Sequence, residues 1–210
     1  MHNQPWTAAH LVAFDLEGTG GQDREDEAIL EVGAVPLPDG RPDVGGAYHS
    51  IVNPGRHIPR RPWSSPGLTN DVLASAPSLE HVVPELTARL DGAYIVGHNV
   101  HVDWRLLSSR CPGIRPAGLI DTLKLARRVH EGKRPRSLTA LLERYQLTNE
   151  VTRLVGGRPH RALWDATGAG LLLGKLLADL PGGGALTVVG LRDVAGSPLG
   201  DGGEQPLPLF

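Results

Sequence analysis

Five residues in this sequence have the types and spacing of a hydrolytic centre. Asp15 and Glu17 stand two apart in HLVAFDLEGTG, Asp103 follows a polar turn in IVGHNVHVDWRLL, and His160 and Asp165 lie five apart in GRPHRALWDATGAG. Carboxylates held side by side repel each other, so such a pair takes up a cation or a proton. Hard oxygen donors favour Mg2+ or Mn2+. A His beside them suits a general base near neutral pH. Four carboxylates converging with one His is the layout of two-metal phosphodiester hydrolysis. Ions about 3.5–4 Å apart would hold the attacking water and stabilise the leaving oxygen, and the His would take the water's proton. Each piece alone also has a plainer reading. D-x-E fits two solvated charges after a strand, Asp103 fits an acid that complements a helix dipole, and H-x4-D arises by chance in a chain with 9 His and 13 Asp. Their joint placement at element ends favours the active-site reading.

The elements that must hold these residues follow from periodicity. HLVAFDLEGTG, AILEVGAVPLPDG and GAYHSIVNPG read as three strands joined by short links. Alternate strand residues face one side, so Asp15 and Glu17 point together. Residues 68–90 read as helical with a break near Pro77, and AYIVGHNV as a short strand. HVDWRLLSSRC reads as a helix with Asp103 near its start. LIDTLKLARRVH is a strand end running into a helix, and RSLTALLERYQL is an amphipathic helix. Residues 161–180 form the last long helix. Five residues along a helix turn through about 500°, which leaves side chains about 140° apart. His160 and Asp165 therefore share a site only if His160 rides on the loop before the helix, where Pro159 marks a helix beginning. Strands followed by alternating helices and strands predict an α/β fold with a mixed sheet flanked by helices.

The 210 residues suit one domain with a tail. The predicted division is a domain over 1–180 and a Gly/Pro-rich tail over 181–210, with ALTVVGL as a possible short strand or docking segment. A net charge of −2 argues against a general nucleic-acid coat, so any nucleic acid must be gripped locally. The single Cys, Cys111, excludes an internal disulfide and fits a reducing compartment. No signal sequence or membrane span is readable, so a cytoplasmic location is expected.

FDLEGTG, VGHNVHVD and HRALWDA, in that order and with these gaps, resemble the DEDD 3′–5′ exonucleases. The terminal His points to the His-containing (DEDDh) subgroup, which includes the proofreading subunit of bacterial replicative polymerases. AILEVGAV, IVNPGRHIP, GLTNDVLASAPSLEHVVPEL, IDTLKLAR and RSLTALLERYQL agree, and the likeness covers roughly residues 10–178. The resemblance implies a ribonuclease-H-like fold and two divalent ions, Mg2+ or Mn2+. It implies that Asp15 bridges both ions, that Glu17 and Asp165 bind the ion activating the water, that Asp103 holds the second, and that His160 is the base. Leu16, Gly18, Thr19, Asn99 and Arg161 would contact the terminal nucleotide. The substrate would be a single-stranded DNA 3′ end, with RNA as the alternative, and the product a nucleoside 5′-monophosphate. A non-cutting end-binding or clamp-binding adaptor is the rival of another class. The sequence departs from the family pattern at Gly18, where Thr is common, at Val102 for Phe, and at Pro66 for a His. All three bear on how the 3′ end is gripped.

Arg56, Arg60 and Arg61 form one basic cluster, and Arg127, Arg128, Lys133, Arg134 and Arg136 another. Arg158 and Arg161 flank the His. These could track a phosphate backbone, or simply be solvated surface. Trp63 and Trp104 could stack on bases or pack at the rim. The sequence closes on EQPLPLF, which resembles the clamp-binding peptides of bacterial replication proteins. Gln205, Leu207, Leu209 and Phe210 would insert into a groove of the sliding clamp, making the clamp or a polymerase a partner. Folding back onto the domain is the alternative.

Overall fold

The computed structural model describes residues 4–20, 26–59, 65–131 and 136–200. Six strands form one mixed sheet: β1 (Leu11–Gly18), β2 (Ile29–Pro36), β3 (Tyr48–Ile51), β4 (Tyr94–Gly97), β5 (Gly118–Asp121) and β6 (Gly196–Ser197), in the order β3-β2-β1-β4-β5-β6. β1, β2 and β3 pair antiparallel as a meander, whereas β1, β4 and β5 run parallel and β6 returns antiparallel. Parallel neighbours need crossovers, and helices supply them. α1 (Asn70–Ala74) and α2 (Leu79–Leu90) lead into β4, and α3 (His101–Arg110) leads into β5. α4 (Thr122–Val129), α5 (Leu138–Arg144), α6 (Thr148–Val155), α7 (Ala162–Asp179) and α8 (Val188–Ala195) follow. This is the mixed sheet of the α/β fold that the sequence predicts, flanked by helices as the family resemblance implies.

The strand period sorts the core into two layers. Leu11 and Ala13 lie with Val96, Ile120, Leu172 and Leu173 on the face covered by α7, and Val12 and Phe14 with Val82, Leu86, Leu106 and Leu107 on the face covered by α2 and α3. Continuing the alternation, Asp15 and Glu17 extend the Leu11–Ala13 face toward α7. α7 is buried along most of its 18 residues, from Ala162 to Leu177, which explains its many small side chains. Its first turn nearly touches β2. A Cβ on Gly33 would lie 2.5 Å from the Ala162 carbonyl carbon, so only glycine allows this approach.

Two expectations change. Composition assigns the chain after Leu180 to a linker-like tail, but up to Ser197 it is packed. Val188, Leu191 and Ala195 are buried, and β6 pairs with β5. ALTVVGL is not a strand. It leads into α8, where the Thr187 hydroxyl accepts a hydrogen bond from the Gly190 N–H at 3.2 Å and caps the helix. Apolar residues at helical spacing, Val188, Leu191, Val194 and Ala195, outweigh the surrounding glycines. The division at residue 180 thus falls within packed structure. α6, with Val151 buried, lies in a stretch to which periodicity assigns no element. Among the described residues no helix is long and apolar enough to cross a membrane.

Candidate active site

The two acids of β1 sit where the strand leaves the sheet, just before a bulge between Glu17 and Gly18. Asp165 lies in the first turn of α7, on the same side. One carboxylate oxygen from each of Asp15, Glu17 and Asp165 falls within 4.8 Å of the others. Asp103 is in the first turn of α3, which covers the opposite face, and reaches the site around the strand end. It is buried, and its Oδ1 accepts a hydrogen bond from the Leu16 N–H at 3.3 Å. It stands outside the triad but close enough to act on Asp15 electrostatically.

Crowding and burial set the proton affinities. Burial, then the charges of Asp103, Asp165, Glu17 and Glu31, push the Asp15 carboxyl well above the usual carboxylate range. Burial raises Asp103 to about 8, against the opposing hydrogen bond from Leu16. Burial and the Glu17 charge raise Asp165 to about 7. Glu17 is raised by burial, with the Ser65 hydroxyl opposing. Close hard-oxygen donors that resist sharing negative charge are the donor set a divalent ion stabilises, and Asp15, Glu17 and Asp165 fit one.

His160 rides on the loop ahead of α7, as the helix geometry requires. It is exposed, its φ is 63°, and its backbone N–H donates to Asp165 Oδ2 at 3.0 Å. That bond fixes the loop against the metal-ligand candidate one turn later. The opposite wall is the segment around Ser65. Its hydroxyl donates to Glu17 Oε2, and Gly67, with φ of 89°, lies beside two guanidinium groups. A Cβ on Gly67 would be 3.7 Å from Arg161 Nη1 and 3.8 Å from Arg158 Nη2.

The residues expected at the substrate divide. Leu16 presents its N–H to Asp103 and lies at the site. Gly18 ends β1 against α3, where a Cβ would come 2.9 Å from Leu106 Cδ2, the movable end of a side chain. Thr19 does not face the substrate side. It is buried, and its hydroxyl accepts from the Ala28 N–H at 3.1 Å, closing the strand end. Asn99 adopts φ of 68° and donates its N–H to Asp121 Oδ1 at 2.9 Å, shaping the turn before α3. Arg161 does not extend toward solvent. It forks onto Glu31, with Nε 2.9–3.0 Å from both oxygens and Nη2 2.7 Å from Oε1. Trp104 is tied through its indole N–H to the Leu199 carbonyl at 2.7 Å, a rim contact rather than a stacking platform. Arg56 donates to the Asp26 carbonyl, and Arg127 and Arg128 lie on the exposed side of α4. Arg60, Arg61, Trp63, Lys133, Arg134, Gln205, Leu207, Leu209 and Phe210 lie outside the described residues.

Four residues around the site escape the motif reading. Glu31 in β2 pairs directly opposite Glu17, and its side chain is wholly buried. Burial opposes its charge, yet bonds from His49 and Arg161 hold its carboxyl below the usual range. An acid inside the apolar run AILEVGAV was the visible signal. Asp121 accepts both the Asn99 and Leu123 N–H groups, and so joins the Asp103 turn to α4. His98 braces the same turn between Thr122 Oγ1 and the Arg136 carbonyl, a strut rather than a ligand. Ser65, the fourth, has no sequence signal beyond its neighbourhood.

The sequence matches the exonuclease family of the ribonuclease T type over residues 12–172. It is 36% identical over 166 residues to a PolC-type DNA polymerase III of Thermotoga petrophila, covering 75% of this chain; the chain spans only 11% of that protein's length. It is 32% identical over 175 residues to the DNA polymerase III subunit epsilon of Aquifex aeolicus, covering 81% of each. Among solved structures, exonuclease X in complex with 5′ overhanging duplex DNA aligns with a TM-score of 0.62 at 26% identity, over 88% of this chain and 98% of that one.

Proposed function

Because the chain belongs to the DEDDh exonuclease family, we propose that it is a metal-dependent 3′–5′ exonuclease that trims DNA 3′ ends in proofreading or repair. The observation that carries this reading is the convergence of Asp15, Glu17 and Asp165 within 4.8 Å, with the His160 backbone bonded to Asp165. Asp15, Glu17 and Asp165 would hold one divalent ion, and Asp103 with Asp15 a second. Such ions, when bound, lower the pKa of the attacking water and stabilise the developing charge. His160 accepts the proton that water loses as it adds to phosphorus. The phosphorus–O3′ bond then breaks with its electron pair on O3′, which takes up a proton to become the shortened strand's new 3′-hydroxyl, and the nucleoside 5′-monophosphate leaves. Leu16 and Gly18 line the strand end where the terminal nucleotide would rest. Arg158, exposed above Gly67, is placed to meet a backbone phosphate.

DNA is favoured over RNA because two relatives are DNA polymerase III proteins and the aligned exonuclease X holds duplex DNA. Residues 205–210 extend the proposal. Gln205, Leu207, Leu209 and Phe210 would occupy a groove on a sliding clamp and tether the enzyme near its substrate. The buried, unpaired Cys111 agrees with a reducing cytoplasm.

The test is one 5′-labelled single-stranded DNA oligomer incubated with protein in Mg2+, in Mn2+ and in EDTA, beside His160→Ala. The expected result is a ladder shortening from the 3′ end, absent with EDTA and about 100-fold or more slower in the variant. Cleavage of RNA alone would move the substrate to RNA. Survival of both would leave a non-cutting end-binding protein.

A further inference from the structure

Glu31 is a fully buried carboxylate that belongs to none of the roles above. It lies beside Glu17 in the β1–β2 ladder, and it is not one of the three acids that share a candidate metal position. Its oxygens are already engaged. Oε1 accepts from Arg161 Nε and Nη2 and meets His49 Nε2 at 2.5 Å, and Oε2 accepts from Arg161 Nε and from the Ala162 N–H at 3.3 Å. Ala162 opens α7, and Arg161 is its N-cap residue, whose own side chain caps nothing. Glu31 therefore caps α7 from another strand, satisfying a first-turn N–H. The next residue back is His160, in the left-handed region. Its N–H is held by Asp165, so three consecutive residues are pinned, His160 by one end of the site and Arg161 and Ala162 by Glu31.

We infer that Glu31 and Arg161 form a positioning clamp that sets His160 and Asp165 for the reaction, and that Arg161 acts through Glu31 instead of gripping the nucleic-acid backbone. This inference rests on the exonuclease reading above. A bidentate guanidinium–carboxylate pair has fixed geometry, and here it is shielded from solvent on the carboxylate side. Releasing it frees the loop carrying the base without touching a metal-ligand candidate. A misplacement of about 1 Å at a reacting group is worth about 100-fold in rate.

The experiment compares wild type, Glu31→Gln, Arg161→Gln and the double variant, all checked for folding by circular dichroism. kcat, KM and the salt dependence of KM are read on a labelled DNA oligomer. Hydrogen exchange over residues 158–166 is read without substrate. The clamp predicts kcat lower by about 10- to 100-fold in each single variant. It also predicts KM within about twofold, an unchanged salt slope, and a double variant no worse than the poorer single, as expected of residues acting as one unit. Amides of His160–Ala162 should exchange about tenfold faster in both. If Glu31→Gln does not fold, Arg161→Lys substitutes. It keeps a phosphate-binding charge but loses the fork, so a fall in kcat still supports the clamp and full activity overturns it. A raised KM and a salt slope shallower by about 0.7 in Arg161→Gln, with Glu31→Gln unaffected, would make Arg161 a phosphate contact and overturn the inference. Wild type that leaves DNA and RNA uncut, while exchange at 160–162 still rises in Glu31→Gln, would retain the clamp and remove the exonuclease reading.

Discussion

Replacing Gly33 with alanine tests how tightly the sheet sets the active site. Gly33 pairs with Asp15 across the β1–β2 ladder and faces the first turn of α7. An added Cβ would lie 2.5 Å from the Ala162 carbonyl carbon and 2.6 Å from both its oxygen and the Leu163 nitrogen. Ordinary contact at such atoms begins near 3.4 Å. The obstacle is backbone on both sides, so no side chain can swing away, and the start of α7 must retreat by about 0.9 Å. Overpacking of this kind costs about 1–3 kcal/mol. At about 2–4 °C per kcal/mol for a chain this long, the melting temperature should fall by about 2–12 °C. The retreat carries Asp165 and His160 away from Asp15, and a shift of about 1 Å lowers kcat about 100-fold. Gly174→Ala is the matched control. It lies in the same helix with nothing within 4 Å of its would-be Cβ. It should gain about 1 kcal/mol from helix propensity and keep full activity. The assay is thermal melting together with steady-state cleavage of the labelled oligomer. Gly33→Ala with a wild-type melting temperature and a rate within twofold of wild type would refute the argument that close backbone approach positions the site.

Proton affinity supplies a second expectation. In the metal-free protein Asp103 is raised to about 8 and Asp165 to about 7, and Asp15 and Glu17 are raised as well. The native state therefore binds more protons than the unfolded chain, whose carboxyls titrate near about 4, so stability falls as pH rises from about 4 to about 8. In EDTA the melting temperature should be higher at pH 5 than at pH 8, Mg2+ should restore more at pH 8, and Asp103→Asn should flatten the profile. A melting temperature in EDTA that climbs over that range would contradict it. Ser65→Ala removes the donor to Glu17 and lets protons compete better for that carboxylate. The Mg2+ concentration for half-maximal cleavage near pH 7 should rise about 2- to 10-fold, one hydrogen bond's worth, while the rate at saturating Mg2+ stays within about twofold.

Much of the site was legible because its chemistry sits in short motifs at element ends. Asp15 and Glu17 share a face because strands alternate, and the His160 N–H meets Asp165 because His160 lies in the loop two residues before α7 begins. What stayed hidden depends on contacts between distant segments. Arg161 looks like a phosphate contact when read beside His160; only the β2–α7 packing reveals that Glu31, 130 positions away in sequence, occupies it. Thr19 looks like part of a substrate loop until the bulge at Gly18 turns its hydroxyl to Ala28. The chain after Leu180 was misjudged for another reason. Its glycines dominate the composition, whereas the few apolar residues that bury α8 settle its conformation.

α7 joins two regimes of motion in one site. From Asp165 onward it is among the most buried segments of the fold, so its amides there should open only with global unfolding. His160, in the loop before the helix, is exposed, and its backbone N–H is bonded to Asp165. The acid that would hold metal thus belongs to the slowest-opening cooperative unit, and the proposed base to a segment able to detach in sub-global fluctuations. Cation occupancy at Asp165 should consequently feed directly into whole-molecule resistance to heat and proteolysis. Excursions of the base would leave that resistance untouched, so the fraction of time the molecule is competent to cut can vary while its stability does not.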